Sequence, residues 1–247
     1  MPVRILILGG TGEARDLAAR LVAEGADVIS SLAGRVSEPR LPAGPVRIGG
    51  FGGADGLAEY LRAEGITRVV DATHPFAATI TANATAAAKR TGVPLLVLRR
   101  PAWDADPSWD TVPDINAAAA AVRTWPGDDV FLTTGRRDLA VFAADGTHRF
   151  LVRTVDPTDG PVPPRMTLIL DRGPYTVESE TRLMREHGIG LLVTKNSGGP
   201  MTEAKLRAAR DLAVPVVMVS RPPLPPDAAV VTTAAEAAGW AVSRQPG

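Results

Sequence analysis

Short apolar runs alternate along this chain with longer segments whose apolar positions recur every three or four residues. Runs such as Val3-Arg4-Ile5-Leu6-Ile7-Leu8 and Leu95-Leu96-Val97-Leu98, bounded by Gly, Pro or Thr, suit strands of a parallel sheet, because helices cover both of its faces. The pattern predicts strands near 3–8, 27–31, 45–48, 68–72 and 94–98, with helices near 13–24, 54–64 and 77–91. A second series predicts strands near 129–133, 148–153, 167–171, 190–194 and 215–219, with helices near 114–124, 136–143, 176–187, 202–212 and 233–243. The stretch Pro101–Pro113 turns to Trp, Asp and Pro and reads as a linker.

The expected architecture is therefore α/β, with two Rossmann-like lobes, mainly parallel sheets and an interlobe cleft. Residues 1–100 form the N-terminal lobe, 101–113 a crossing linker and 114–247 the C-terminal lobe. The second series echoes the first: Gly92-Val93-Pro94 before one strand aligns with Ala213-Val214-Pro215 before the other, which sets Thr73 on Thr194 and His74 on Lys195. Either the lobes share a strand-loop-helix-strand unit, or Val-Pro is simply a common start for a buried strand.

In an open parallel sheet, ligands bind at the carboxyl ends of the strands, so the loops there can be read as a set. Gly9-Gly10-Thr11-Gly12-Glu13 permits a tight turn and opens a helix, whose first N–H groups can hold a pyrophosphate. The dinucleotide fingerprint is incomplete, because Arg15 replaces its third glycine. Where an NAD site would place an acid on the ribose, the chain offers Ser30, Ser31 and Arg35. Arg35 is either a partner for a 2′-phosphate, which would select NADPH, or a solvated loop residue.

Thr134-Gly135-Arg136 and Lys195-Asn196-Ser197-Gly198-Gly199 each combine backbone donors with a cation and can hold a phosphate or carboxylate, although helix capping explains the hydroxyls equally well. Thr73 and His74 lie on the loop after the strand ending at Asp71; His74 can serve as a donor or be structural. The two tyrosines, Tyr60 and Tyr175, are followed four positions later by Glu64 and Ser179, so the Tyr/Lys pair of short-chain dehydrogenases is missing.

Composition adds limits. Lys plus Arg equals Asp plus Glu at 27 each, so no global field draws in nucleic acid or an anionic membrane. Cysteine is absent, and the three histidines at 74, 148 and 187 are too widely spaced for a helical ligand pair, so no metal site is expected. With no basic leader and no apolar run long enough to span a bilayer, a cytoplasmic protein is expected. A monomer is the default expectation for the oligomeric state.

Together these loops resemble the precorrin-6A reductase family of cobalamin biosynthesis. The residues that carry the resemblance are Gly9-Gly10-Thr11-x-Glu13, Ala33-Gly34-Arg35, Asp71-Ala72-Thr73-His74-Pro75-Phe76-Ala77, Arg100-Pro101-x-Trp103, Thr134-Gly135-Arg136, Gly173-Pro174-Tyr175-x-x-Glu178, Lys195-Asn196-Ser197-Gly198-Gly199 and Arg221-Pro222. Tyr175 stands where the family pattern has Phe. The resemblance implies NADPH-dependent reduction of one double bond of a corrin-precursor macrocycle, precorrin-6A to precorrin-6B, without metal or flavin.

On that reading, Gly9 to Glu13, Arg35, Thr73, Thr134, Gly135, Arg136, Lys195 and Ser197 are cofactor contacts. Arg137, Arg99, Arg100, Tyr175 and Arg221 face the tetrapyrrole and its carboxylate arms, and His74, Glu178 and Lys195 are candidate proton donors. Two alternatives remain: a non-catalytic nucleotide-sensing protein, and the same reduction on a cobalt-containing macrocycle.

Overall fold

The computed structural model describes residues 3–34 and 40–243. They form two compact units, one of residues 3–34, 40–101 and 223–243 and the other of residues 102–222.

The first unit is built on a six-stranded parallel sheet of β1 (Arg4–Leu8), β2 (Asp27–Leu32), β3 (Val46–Ile48), β4 (Arg68–Asp71), β5 (Leu95–Leu98) and a late strand. β1 explains the architecture in miniature. Ile5 and Ile7 pack into one core with α1 (Gly12–Ala23), while Leu6 and Leu8 pack into the opposite core with α2 (Gly53–Ala63) and α3 (Ala78–Thr91). Side chains alternate along a strand, so an unbroken apolar run feeds both faces. α1 answers with Ala14, Leu17, Ala18 and Leu21, spaced to form one buried stripe. Each fully buried Leu contributes roughly 1.5–3 kcal/mol.

The second unit repeats this plan with β6 (Asp110–Val112), α4 (Ile115–Thr124), β7 (Asp129–Leu132), β8 (Arg149–Thr154), β9 (Met166–Leu170), α5 (Val177–Glu186), β10 (Leu191–Lys195), α6 (Ala204–Asp211) and β11 (Val216–Val219). β12 (Ala229–Val231) and α7 (Ala234–Val242) then close the chain. The strand orders are β3-β2-β1-β4-β5-β12 and β9-β8-β7-β10-β11-β6, all parallel. Both follow the 3-2-1-4-5-6 order of dinucleotide-binding sheets. In each, the sixth strand comes from the far side of a chain crossing.

Two expectations about organisation change accordingly. The stretch 101–113 is more than a linker, because Asp110–Val112 pairs with Val217–Val219. The C-terminal lobe does not run to the end of the chain either: Ala229–Val231 pairs with Leu96–Leu98. α7 then buries Ala234, Ala237, Ala238 and Ala241 in the first unit's core. β6 and β12 are three-residue edge strands, and two of the three residues in each are exposed, so neither carries the apolar run that marks the others. The segment near 136–143 is a 3-10 helix, Arg136–Phe142, and the one near 202–212 is a 3-10 turn, Pro200–Thr202, followed by α6. The echo between the two series does hold in space, since β4 and β10, and likewise β5 and β11, take equivalent places in their sheets.

His148 belongs to the fold. Buried to 2% exposure, its Nδ1 lies 2.8 Å from Asp145 Oδ2 and its Nε2 lies 3.2 Å from the Trp125 carbonyl. Burial pushes the Asp145 carboxyl up, but hydrogen bonds from the His148 backbone and ring and from the Thr147 N–H outweigh it and hold the group below its usual range. Among the described residues no helix is long and apolar enough to cross a membrane, and no group of three or more acidic or histidine side chains could hold a metal.

Candidate active site

Strand order reverses between β1 and β4 in the first sheet, and the loops leaving these two strands open a crevice there. After β1, the Gly9 N–H donates to the Ser31 carbonyl at 2.9 Å, holding the loop against β2. Gly10 then turns with φ +118°, a conformation that glycine adopts without strain. Thr11 caps α1 by accepting from the Ala14 N–H at 3.1 Å, and its hydroxyl donates to the Ala72 carbonyl at 2.8 Å. The β1 and β4 loops are thereby tied together across the reversal.

Beyond that cap, the first N–H groups of α1 have no intrahelical partner and point out of the helix. A small pocket adjoins them, lined by Gly9, Gly10, Ala14, Arg15, Ser30, Leu32, Arg40 and Pro42. Ser30 is 1% exposed, yet its Oγ has no hydrogen-bond partner. A buried hydroxyl without a partner beside a glycine turn and two arginines fits a polar, anionic ligand such as a pyrophosphate with its ribose. Arg15 and Arg40 were not among the expected contacts. Arg15 was legible as the residue in the third glycine position, and the structure turns that departure into a cation for the pocket; Arg40 carries no local signal.

On the β4 loop, Asp71 is 1% exposed and accepts from the Thr73 N–H at 3.1 Å, the Thr73 hydroxyl at 2.6 Å and the Thr81 hydroxyl at 2.6 Å. Thr73 is committed to shaping this loop. His74 is exposed, and its Nδ1 accepts from the Phe76 N–H at 3.3 Å. Arg99 is half-buried; burial lowers its guanidinium and Asp71 partly restores it. Arg100 pairs with Glu13 at 2.9 Å, which fixes it beside the β1 loop. Arg35 lies outside the described residues.

In the second sheet the reversal lies between β7 and β10. Thr134 is 5% exposed with an unpartnered Oγ1, and Gly135 follows at φ +91°. Arg136 donates to the Pro157 carbonyl at 3.1 Å, and Arg137 stands beside it in the same 3-10 helix. Lys195, at the end of β10, pairs with Asp138 at 2.5 Å. The Ser197 N–H donates to the Lys195 carbonyl at 2.7 Å, so the chain turns sharply there.

Two expected substrate contacts are engaged within this unit. Arg221 donates through Nε to the Asn196 carbonyl at 2.7 Å and through Nη2 to the Ser197 carbonyl at 2.9 Å. Tyr175 is half-buried with the Arg153 guanidinium 3.7 Å from its ring centre. Glu178 sits in the first turn of α5, and hydrogen bonds from its own N–H and from Thr176 hold its carboxyl below the usual range. It is a carboxylate at neutral pH, suited to accepting a proton rather than donating one.

Beneath this rim lies a charged cluster that no local pattern revealed. Arg153 and Glu180 form a buried bidentate pair at 2.5 and 2.9 Å. Lys205, 4% exposed, donates to the Thr202 carbonyl at 2.7 Å and lies 4.8 Å from the Trp103 ring centre. Burial and Arg153, opposed by Glu180, push its amine down to about 7.

Comparison with known proteins gives the family. The family described as precorrin-6x reductase CbiJ/CobK matches residues 4–242. A precorrin-6A reductase of Rhodococcus erythropolis is 57% identical over 240 residues, covering 96% of both chains. A cobalt-precorrin-6A reductase of Priestia megaterium is 29% identical over 231 residues, covering 88% of this chain and 90% of that one. Among solved structures, one titled CobK precorrin-6A reductase superposes with a TM-score of 0.88 at 44% identity, covering 96% of this chain and 95% of that one. With the family matched from the first strand to the last helix, the chain belongs to the precorrin-6x reductase CbiJ/CobK family.

Proposed function

We propose that this protein reduces precorrin-6A to precorrin-6B with NADPH. The observation that carries the reading is full-length similarity to relatives named precorrin-6A reductase, which are much closer in sequence than those named cobalt-precorrin-6A reductase. Bound NADPH supplies a hydride to one atom of the macrocycle double bond, and a proton completes the product at the other. The chain's own part is binding, orientation and charge placement.

The β1 loop would hold the dinucleotide: Gly9, Gly10, Thr11, Gly12 and Glu13 would shape its seat, Arg15 and Arg40 would balance the pyrophosphate, and Ser30 would donate its unused hydroxyl to the same ligand. The second rim, with Thr134, Gly135, Arg136, Arg137, Lys195 and Ser197, is a further anion-binding surface for a phosphate or the macrocycle's carboxylate arms. His74 is the proton-delivery candidate that the geometry favours. Glu178 is already ionised, Lys195 is held by Asp138, and His74 is exposed with its ring oriented by Phe76.

The test is loss of NADPH absorbance. Oxidation only when precorrin-6A is added supports the reductase; tight NADPH binding without turnover would favour a sensor, and turnover restricted to the cobalt-containing macrocycle would move the substrate to that form.

Cofactor choice is tested separately. If Arg35 pairs with the 2′-phosphate, Arg35→Ala weakens NADPH by roughly 1.5–3 kcal/mol and leaves NADH almost unchanged. Equal losses for both cofactors in a binding titration would remove that role.

A further inference from the structure

Lys195 and Ser197 can serve a ligand only if the loop from Lys195 to Gly199 keeps one shape, yet its own sequence does not impose one. Gly198 and Gly199 are both at positive φ, +67° and +79°, and glycine pairs leave a backbone free to sample many conformations. The restraint comes from outside the loop. The Trp103 N–H donates to Asn196 Oδ1 at 2.8 Å, and Asn196 Nδ2 donates back to the Trp103 carbonyl at 3.0 Å. The carboxamide thus reads the Trp103 peptide as a neighbouring strand would. From the same residue, the indole Nε1 donates to the Gly199 carbonyl at 3.0 Å.

Trp103 therefore grips the loop at both ends while lying 9% exposed in the core of the second unit. Lys205 extends the grip, with its amine facing the Trp103 ring and bonding the Thr202 carbonyl. Arg221 holds the two carbonyls between, those of Asn196 and Ser197.

We propose that Trp103 and Asn196 are positioning residues: their reciprocal hydrogen bonds and the indole bond to Gly199 set the conformation in which Lys195 and Ser197 meet the ligand. This rests on the loop being part of the binding site, as argued above. Neither residue need touch cofactor or substrate. A displacement of about 1 Å in such a loop is enough to cost about a hundred-fold in rate.

Trp103→Phe keeps an aromatic ring at this position, removes the indole N–H and leaves a smaller side chain in the core. Asn196→Asp keeps the acceptor for Trp103, replaces the donor by an oxygen that faces the Trp103 carbonyl, and adds a negative charge. Each variant is compared with wild type in kcat and KM for NADPH and precorrin-6A, in NADPH affinity, and in Tm; the two variants also guard against one failing to fold.

The expected result for each is a fall of about ten- to a hundred-fold in kcat/KM, with Tm shifting by only a few degrees. Lys195→Met alone should fall further, and adding Trp103→Phe to it should cost almost nothing more, because both act through one loop. Full activity in Trp103→Phe and Asn196→Asp, or losses that add to that of Lys195→Met, would overturn the positioning role. If Lys195→Met and Ser197→Ala both keep wild-type kcat/KM and NADPH affinity, the loop is not part of the site, and the functional reading fails at that point together with the clamp. A loss in Trp103→Phe alongside that result would assign Trp103 to another contact.

Discussion

Glu180→Gln destabilises the chain by on the order of 3 kcal/mol, an expectation that follows from where its partner sits. Arg153 is 8% exposed, and its guanidinium is satisfied by both carboxylate oxygens of Glu180, so the substitution leaves a buried cation facing a neutral amide. Breaking one side of such a pair typically costs about 3–5 kcal/mol, more than the intact pair contributes over an apolar replacement. The rings of Tyr175 and Phe131, 3.7 and 5.0 Å from the guanidinium carbon, soften the loss without replacing the charge. Replacing both partners, Arg153→Met with Glu180→Leu, should cost less than Glu180→Gln alone. Urea unfolding measures this: the midpoint falls in the single variant at unchanged m-value and partly recovers in the double. A single variant within about 0.5 kcal/mol of wild type would show that water already reaches the pair.

The second large effect is a stability that rises with pH. The Lys205 amine is lowered to about 7 in the folded chain and returns to about 10.4 when the chain unfolds. Between those values the unfolded state binds a proton that the folded state does not, so unfolding becomes harder as pH rises. Below about 7 both states are protonated and the full cost of burying the ammonium is present. The limiting slope is about 1.4 kcal/mol per pH unit.

The groups facing Lys205 refine this expectation. Arg153 adds to the lowering of the amine, Glu180 opposes it, and Tyr175 beside them is raised above its ordinary value chiefly by burial. Lys205→Met removes the titration, so its stability relative to wild type should be greatest near pH 6 and should decline towards pH 10. Parallel stability curves for the two proteins would mean that the folded chain binds the proton as readily as the unfolded one.

Most elements were legible because their causes are local. Ile5, Leu6, Ile7 and Leu8 announce a strand buried on both faces, and Ala14, Leu17, Ala18 and Leu21 announce the helix that covers it. The candidate rims followed from the same reading, since in a parallel sheet every strand-to-helix loop emerges on one side. Legibility ended where a residue's role depends on a distant partner. Arg15 reads as a broken fingerprint until Ser30 and Arg40 are seen around the same pocket. That Arg221 holds the Asn196 and Ser197 carbonyls is likewise visible only in the structure.

The sequence by itself determined the α/β class, the family, and the glycine, threonine and cation loops at the strand ends, because hydrophobic period and turn chemistry act over a few residues. Tertiary structure alone decided which sheet each short strand completes. Asp110–Val112 and Ala229–Val231 are too short and too exposed to declare a partner, and each finds it across a hundred residues or more of chain. It also decided that Arg153, Glu180, Lys205 and Trp103 meet. The physical reason is the same in both cases: strand pairing and charge burial are settled by what packs alongside, and no local pattern records the neighbour.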